Sequence, residues 1–239
     1  MPNSRLARIL IFIKNGSVSE KPSQEPATQK NFYATMKFLI YGATKGRGSG
    51  LGQAVALALV KRGHQVWGLC RNPEKAAEQK EFPLEAVDLA GEAGQERVKQ
   101  LIRETDPDAI WSACGWGYAE PLWKLPPEAI EEMIDANVRN NIIFSRTCAP
   151  SCIDAGPHLI LTGSVAGVLD GTGAAVYAGV KGFLVPFVRA QRAEYLRQSH
   201  NARISLLVLH AMGPTGAGVI AEAVEFIGRQ SRAMELLIN

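Results

Sequence analysis

From residue 36 onward the chain alternates short apolar runs with longer stretches in which apolar residues recur every three or four positions. "KFLIY", "HQVWGLC", "LEAV", "DAIWSA", "HLILTGS", "RISLLVL" and "MELLI" are short and rich in Val, Ile and Leu, which predicts strands. Between them lie "GQAVALALVKRG", "NPEKAAEQK", "AGQERVKQLIRE", "PPEAIEEMIDANVRNNIIFSRTCA", "AAVYAGVKGFLVPFVRAQRAEYLRQ" and "GVIAEAVEFIGRQ". Their helical spacing predicts helices, the first stopping at Gly63 and the second starting at Pro73. Apolar strands alternating with helices predict an α/β fold: a doubly wound parallel sheet, covered on both faces, in a single domain. Its ligand crevice is expected at the carboxyl ends of the strands. No repeat and no internal linker divides residues 36–239.

Residues 1–35 break this pattern. "MPNSRLARILIFIKNG" is basic around a short apolar run, Ile9 to Ile13, and "SVSEKPSQEPATQKNFYAT" is polar with little to bury. We read 1–35 as a flexible N-terminal extension outside the compact domain, either a mobile tail or an upstream-start artefact, since Met36 would serve as an initiator. A targeting peptide is the other reading of a basic leader poor in acids.

Composition narrows the partners. The chain of 239 residues is 46% hydrophobic and 21% charged, with a formal net charge of +3. That is the balance of a soluble globular domain. No dense Lys/Arg tract supports nucleic-acid binding, and no apolar run approaches the ~18 residues that span a membrane. Cys70, Cys114, Cys148 and Cys152 lack the spacing of a zinc site, so buried free thiols in a cytoplasmic protein, with no metal, are expected.

The chemistry begins in "FLIYGATKGRGSGLGQAVALAL". Glycines between a first strand and its helix let backbone approach a pyrophosphate, whose charge the helix N-terminus favours. Two registers compete: Gly42-Gly46-Gly48 and Gly46-Gly50-Gly52. The apolar spacing of Ala54, Leu57 and Ala58 starts the helix near Gly50 to Gly52, so the second register serves the phosphate and Gly42 marks the strand exit.

"GRGSGLGQAVALALVKRGHQV" resembles the cofactor turn of the short-chain dehydrogenase/reductase family, and the resemblance runs from Met36 to near the end. It implies a Rossmann fold and an NADP(H) cofactor site including Gly42, Gly46, Gly50, Leu51 and Gly52. The extra "TKGR" departs from the family pattern and leaves open whether Lys45 or Arg47 lies nearest phosphate. After the second strand "LCRNPEK" carries Arg71 where an NAD enzyme has an acid, and an arginine suits a 2′-phosphate. Asp88, followed by Leu89, matches the family's acid at the adenine edge, although aspartate also suits a helix cap. "WSACGWG" keeps only Gly115 of the family's Asn-Asn-Ala-Gly run; Ala113 replaces an asparagine, and looser strand ends are expected there.

The family's catalytic pair is a Tyr with a Lys four residues on. That string also occurs at Tyr33/Lys37 and Tyr41/Lys45, but only Tyr177/Lys181 follows a strand-end serine, Ser164, at the family spacing. The resemblance assigns Tyr177 as acid/base, Lys181 as the charge that eases its ionisation, Ser164 as the hydrogen-bond partner of the substrate oxygen, and Asn137 as the holder of a water. Both Tyr177 and Lys181 would also touch the cofactor. In "VLHAMGPTGAG" the family's Pro-Gly is reversed, with Thr215 in reach of the carboxamide.

These readings imply an NADP-dependent carbonyl reductase or alcohol dehydrogenase. Its partner would be a small-molecule carbonyl or alcohol, including bulky or carrier-tethered ones, because little chain remains between Thr215 and the next helix to build a lid. The resemblance further implies a homodimer or homotetramer. Two rivals remain: a same-fold enzyme acting on an activated double bond, and a non-catalytic NADP-binding sensor or scaffold.

Overall fold

Phe38 and Ile40 point to one side of the first core strand, Leu39 and Tyr41 to the other, and all four are buried. A strand apolar on both faces demands a layer of helices on each side. The computed structural model describes residues 10–14, 17–18, 34–45, 50–153, 156–169, 173–199, 201–209, 216–230 and 235–238.

Its strands are β1 (Leu10–Lys14), β2 (Ser17–Val18), β3 (Lys37–Tyr41), β4 (Gln65–Cys70), β5 (Leu84–Ala86), β6 (Ala109–Ser112), β7 (His158–Ser164), β8 (Ile204–Leu209) and β9 (Glu235–Ile238). They form one sheet in the order β2-β1-β9-β8-β7-β6-β3-β4-β5. Among the described residues only the β1–β2 pair is antiparallel. The order reverses at β3, with β4 on one side and β6 on the other, and this is where a doubly wound sheet opens its crevice.

The helices are α1 (Leu51–Lys61), α2 (Pro73–Glu78), α3 (Glu92–Thr105), α4 (Pro127–Ile134), α5 (Asn140–Cys152), α6 (Ala175–Gly182), α7 (Leu184–Gln198) and α8 (Ala217–Arg229). One face of the sheet packs Phe38, Ile40 and Trp111 against α1 and α8. The opposite face packs Leu39, Tyr41 and Leu159 against α3, α5 and α7. Fully burying a side chain of this size stabilises by roughly 1.5–3 kcal/mol, so these two layers fix which way every strand end points. At the far end of the sheet Glu225 of α8 gathers Arg62, His64 and Arg229, tying the end of α1 to α8.

Two expectations change. The apolar run of the leader does not stand outside the sheet: Leu10–Lys14 pairs in parallel with β9, and Ser17–Val18 folds back on it. The edge of β9 offers unpaired backbone groups, and a short apolar segment is suited to cover them. The strand ends near Ala113 are not loose either. Thr162 Oγ1 donates to Ser112 O at 2.6 Å and accepts from Trp111 Nε1 at 2.8 Å, while Ser112 Oγ donates to Asn141 Oδ1 at 2.8 Å.

We propose that residues 36–239 are the folding unit, because the two layers of buried side chains on either side of the sheet run from Met36 to Ile227. Deleting residues 1–35 should leave cooperative unfolding and cofactor affinity in place. Loss of a cooperative melting transition would show that β1 is integral to the sheet.

Candidate active site

The first element of the site is the start of α1. Gly50 occupies its N-cap with φ +71°, a left-handed conformation that L side chains rarely adopt. No side chain caps this end and no acid lies in the first turn, so the leading N–H groups keep their partial positive charge for an anion. A Cβ on Gly52 would collide with Gly42 O, which explains how helix and strand exit come this close. Lys45 is exposed, and its Cγ lies 3.2 Å from where a Gly50 Cβ would stand. Its stem therefore crosses the helix start. Gly46 and Arg47 lie outside the described residues, as does Thr215. The helix begins at Leu51, where the second glycine register requires it.

Further along the crevice, Arg71 is exposed at the end of β4, and no carboxylate among the described residues pairs with it. The next residue, Asn72, caps α2 by accepting from Glu74 N and Lys75 N. Asp88 is exposed, and its Oδ1 accepts from Ala90 N at 3.0 Å. It closes a local turn rather than capping α3, whose N-cap is Gly91. Leu89 beside it is buried.

A second cluster holds Lys181, Asn137 and Gly115, with Tyr177 one turn before Lys181 and Ser164 at the end of the strand β7 beside them. Ser164 ends β7, and its Oγ accepts from Ala166 N at 3.2 Å. Tyr177 and Lys181 lie one turn apart on α6. Gly117 lies against the Tyr177 ring, so the loop after β6 covers the phenol. Lys181 is buried and donates to Thr162 O at 3.2 Å. Burial pushes its pKa from 10.5 down to about 8, partly offset by the nearby Cys114 thiol. The amine is therefore mostly charged at neutral pH.

Asn137 sits in a π-helical turn, Asp135–Arg139, between α4 and α5. Such turns widen the helix by one residue and are frequent at functional sites. Its Nδ2 donates to Trp116 O at 2.7 Å and to Met133 O at 2.9 Å. Its Oδ1 is buried without a partner. A Cβ on Gly115, at φ +142°, would run into both Asn137 Oδ1 and Lys181 Nζ. The two polar atoms thus converge on one point beneath the Gly115 backbone. An orphaned acceptor beside a buried amine is the arrangement that a water or ligand completes.

The structure thus brings Gly42, Lys45, Gly50, Leu51 and Gly52 together at one end of the crevice and Asn137, Ser164, Tyr177, Lys181 and Gly115 at the other. Sequence reasoning missed Asn141 and Thr162. Asn141 Nδ2 donates to Asn137 O at 2.8 Å, linking Ser112 to Asn137. The Asn137/Asn141 spacing of four residues in a helix was the available signal.

A family model described as short chain dehydrogenase matches residues 38–216, three quarters of the chain. The chain belongs to the short-chain dehydrogenase family. One relative, a very-long-chain 3-oxoacyl-CoA reductase of Mycosarcoma maydis, is 25% identical over 96% of this chain and 72% of its own length. An NADP-dependent 3-hydroxy acid dehydrogenase of Salmonella typhi is 29% identical over 64% of this chain and 63% of its own. Among solved structures, serine dehydrogenase from Escherichia coli superposes with a TM-score of 0.70 at 24% identity, covering 85% of this chain and 97% of that one. At that identity the likeness shows the family's fold.

Gly115→Ala should bring a methyl against Lys181 Nζ and Asn137 Oδ1 and strain a left-handed backbone. We expect a clear fall in melting temperature and loss of nearly all activity. Wild-type melting and turnover in this variant would mean that the two polar atoms do not converge.

Proposed function

We propose that the protein is an NADP(H)-dependent oxidoreductase interconverting a carbonyl and an alcohol, with Tyr177 as acid/base. The observation that carries this reading is the buried Lys181 one helical turn from Tyr177, beside the orphaned Asn137 Oδ1.

The residues of the crevice fit the cofactor. The uncapped α1 N-terminus suits a pyrophosphate, the glycine at position 52 lets that helix start pack against the strand exit at Gly42, and Lys45 lies at the same helix start. Arg71, exposed and without a carboxylate partner among the described residues, suits a 2′-phosphate. NADP dependence appears in the name of the Salmonella relative, and a closed form of serine dehydrogenase was solved with NADP+. When bound, the cofactor supplies the hydride.

The chain supplies the proton and the charge. Tyr177 donates its phenolic proton to the substrate oxygen as negative charge builds there, and Ser164 Oγ donates a hydrogen bond to the same oxygen. The positive charge of Lys181 favours the phenolate left behind. Asn137 Oδ1 holds a water through which Lys181 exchanges protons with solvent. This intact set favours an enzyme over a sensor or scaffold.

The unpaired thiols Cys70, Cys114, Cys148 and Cys152 support a reducing, cytoplasmic setting. Among the described residues no helix is long and apolar enough to cross a membrane. Assembly as a homodimer or homotetramer is part of the same proposal, by likeness to the family.

Tyr177→Phe removes only the phenolic oxygen. It should keep NADPH affinity and lower kcat by roughly 10²–10⁴-fold, the usual weight of general acid–base catalysis. Stopped-flow measurement with a ketone panel decides: retention of more than about a tenth of kcat would remove Tyr177 from this role. Arg71→Asp should move preference from NADP toward NAD in cofactor titrations. Equal weakening of both cofactors would make Arg71 structural instead.

A further inference from the structure

Residues 115–118, just after β6, are tied to the helical turn beneath them. The Gly115 backbone sits over Asn137 Oδ1 and Lys181 Nζ. Trp116 O accepts from Asn137 Nδ2 at 2.7 Å, and Tyr118 N donates to Met133 Sδ at 3.4 Å. Met133 and Asn137 are themselves joined, with Asn137 Nδ2 donating to Met133 O at 2.9 Å. The segment is thus a strap, fastened on both sides of Gly117 by one turn of helix.

Gly117 is the residue of the strap that meets Tyr177. A Cβ built on it would stand 2.5 Å from Tyr177 Cε2 and 2.7 Å from Cγ, with Cδ2 between them closer still. Three consecutive ring atoms at such similar distances place that point over the face of the ring. An approach along the edge would leave the two flanking atoms well beyond the middle one. Carbons in ordinary contact lie about 3.5–4.0 Å apart, so any side chain at position 117 would drive ring and strap apart by roughly 1 Å. The backbone does not ask for glycine here. Among the described residues the glycines at positive φ are Gly42, Gly50, Gly63, Gly115 and Gly173, and Gly117 is not one of them. The missing side chain therefore answers to the ring. Tyr177 is only half-buried on α6, so a contact on its face limits where the ring can swing.

We propose that Gly117 is a positioning residue for the reaction: it lacks a side chain so that the strap bears directly on the Tyr177 ring and fixes where the phenolic oxygen stands. The proposal rests on the reading of Tyr177 as acid/base and adds the residue that aims it. Asn137 takes part twice, because the amide that anchors the strap belongs to the side chain whose Oδ1 lies beside Lys181. Misplacing a reacting group by about 1 Å costs on the order of 10²-fold in rate, so a contact of this kind matters to catalysis.

The test joins kinetics to NMR. Gly117→Ala should lower kcat for ketone reduction by on the order of 10²-fold while KM and NADPH affinity stay close to wild type. In a Tyr177→Phe background the same substitution should add little further loss, because the oxygen it misplaces is already gone. Equal fold-losses in the two backgrounds would mean that position 117 acts through pocket shape or stability, and wild-type kcat in Gly117→Ala would mean that the strap simply yields. Either result overturns the proposal and leaves the oxidoreductase reading standing. The contact itself is read without turnover. The Gly117 Hα that faces the ring should resonate upfield of ordinary glycine and return to the ordinary range in Tyr177→Leu. If the wild type reduces no ketone, the oxidoreductase reading fails and this resonance alone decides whether the strap holds the ring. A Gly117 Hα at the ordinary position in the wild type overturns it.

Discussion

The site depends on keeping one amine out of water. Lys181 is buried, bonded to the carbonyl of Thr162, and set below the Gly115 backbone where Asn137 Oδ1 also points. Burial disfavours its charged form and pulls the pKa down from 10.5 to about 8. The unfolded chain thus binds the extra proton between these values. The fold bears the cost of the buried charge in full below pH 8 and sheds it as pH rises through the window toward 10.5. Apolar burial elsewhere offsets that cost, and the amine keeps its charge beside Tyr177 at neutral pH.

Everything around the amine holds this arrangement in place. The ends of β6 and β7 are locked through Trp111, Thr162 and Ser112, which fixes the carbonyl that Lys181 uses. Asn141 passes the constraint from Ser112 to Asn137, and the π-helical turn aims Asn137 at the same point. The two core layers fix the sheet against α1 on one face and α5 on the other. The glycine turn before α1 and the Lys181 cluster are thereby held at the same ends of the strands.

Much of this was legible in the sequence because it depends on local pattern. The strands from "KFLIY" to "MELLI" and the helix starts at Leu51 and Pro73 follow from periodicity and from glycine and proline. The Tyr177/Lys181 pair with Ser164 follows from its spacing. What was not legible depends on contacts between distant segments. Ser112 and Asn141 are remote in sequence, and their bond ties the end of β6 to α5. The pairing of Leu10–Lys14 with β9 joins the two ends of the chain, which no local pattern encodes.

Lys181 is a buried amine with a depressed pKa, and the proposed chemistry needs its charge beside Tyr177. Its pKa is measurable directly by NMR of isotope-labelled lysine, with the signal assigned by its loss in Lys181→Met. Titration near 8 is expected, well below the 10.5 of an ordinary lysine. A Lys181 signal that titrates at the ordinary value would mean that the amine is solvated, and the proposed proton chemistry of Tyr177 would lose its physical basis.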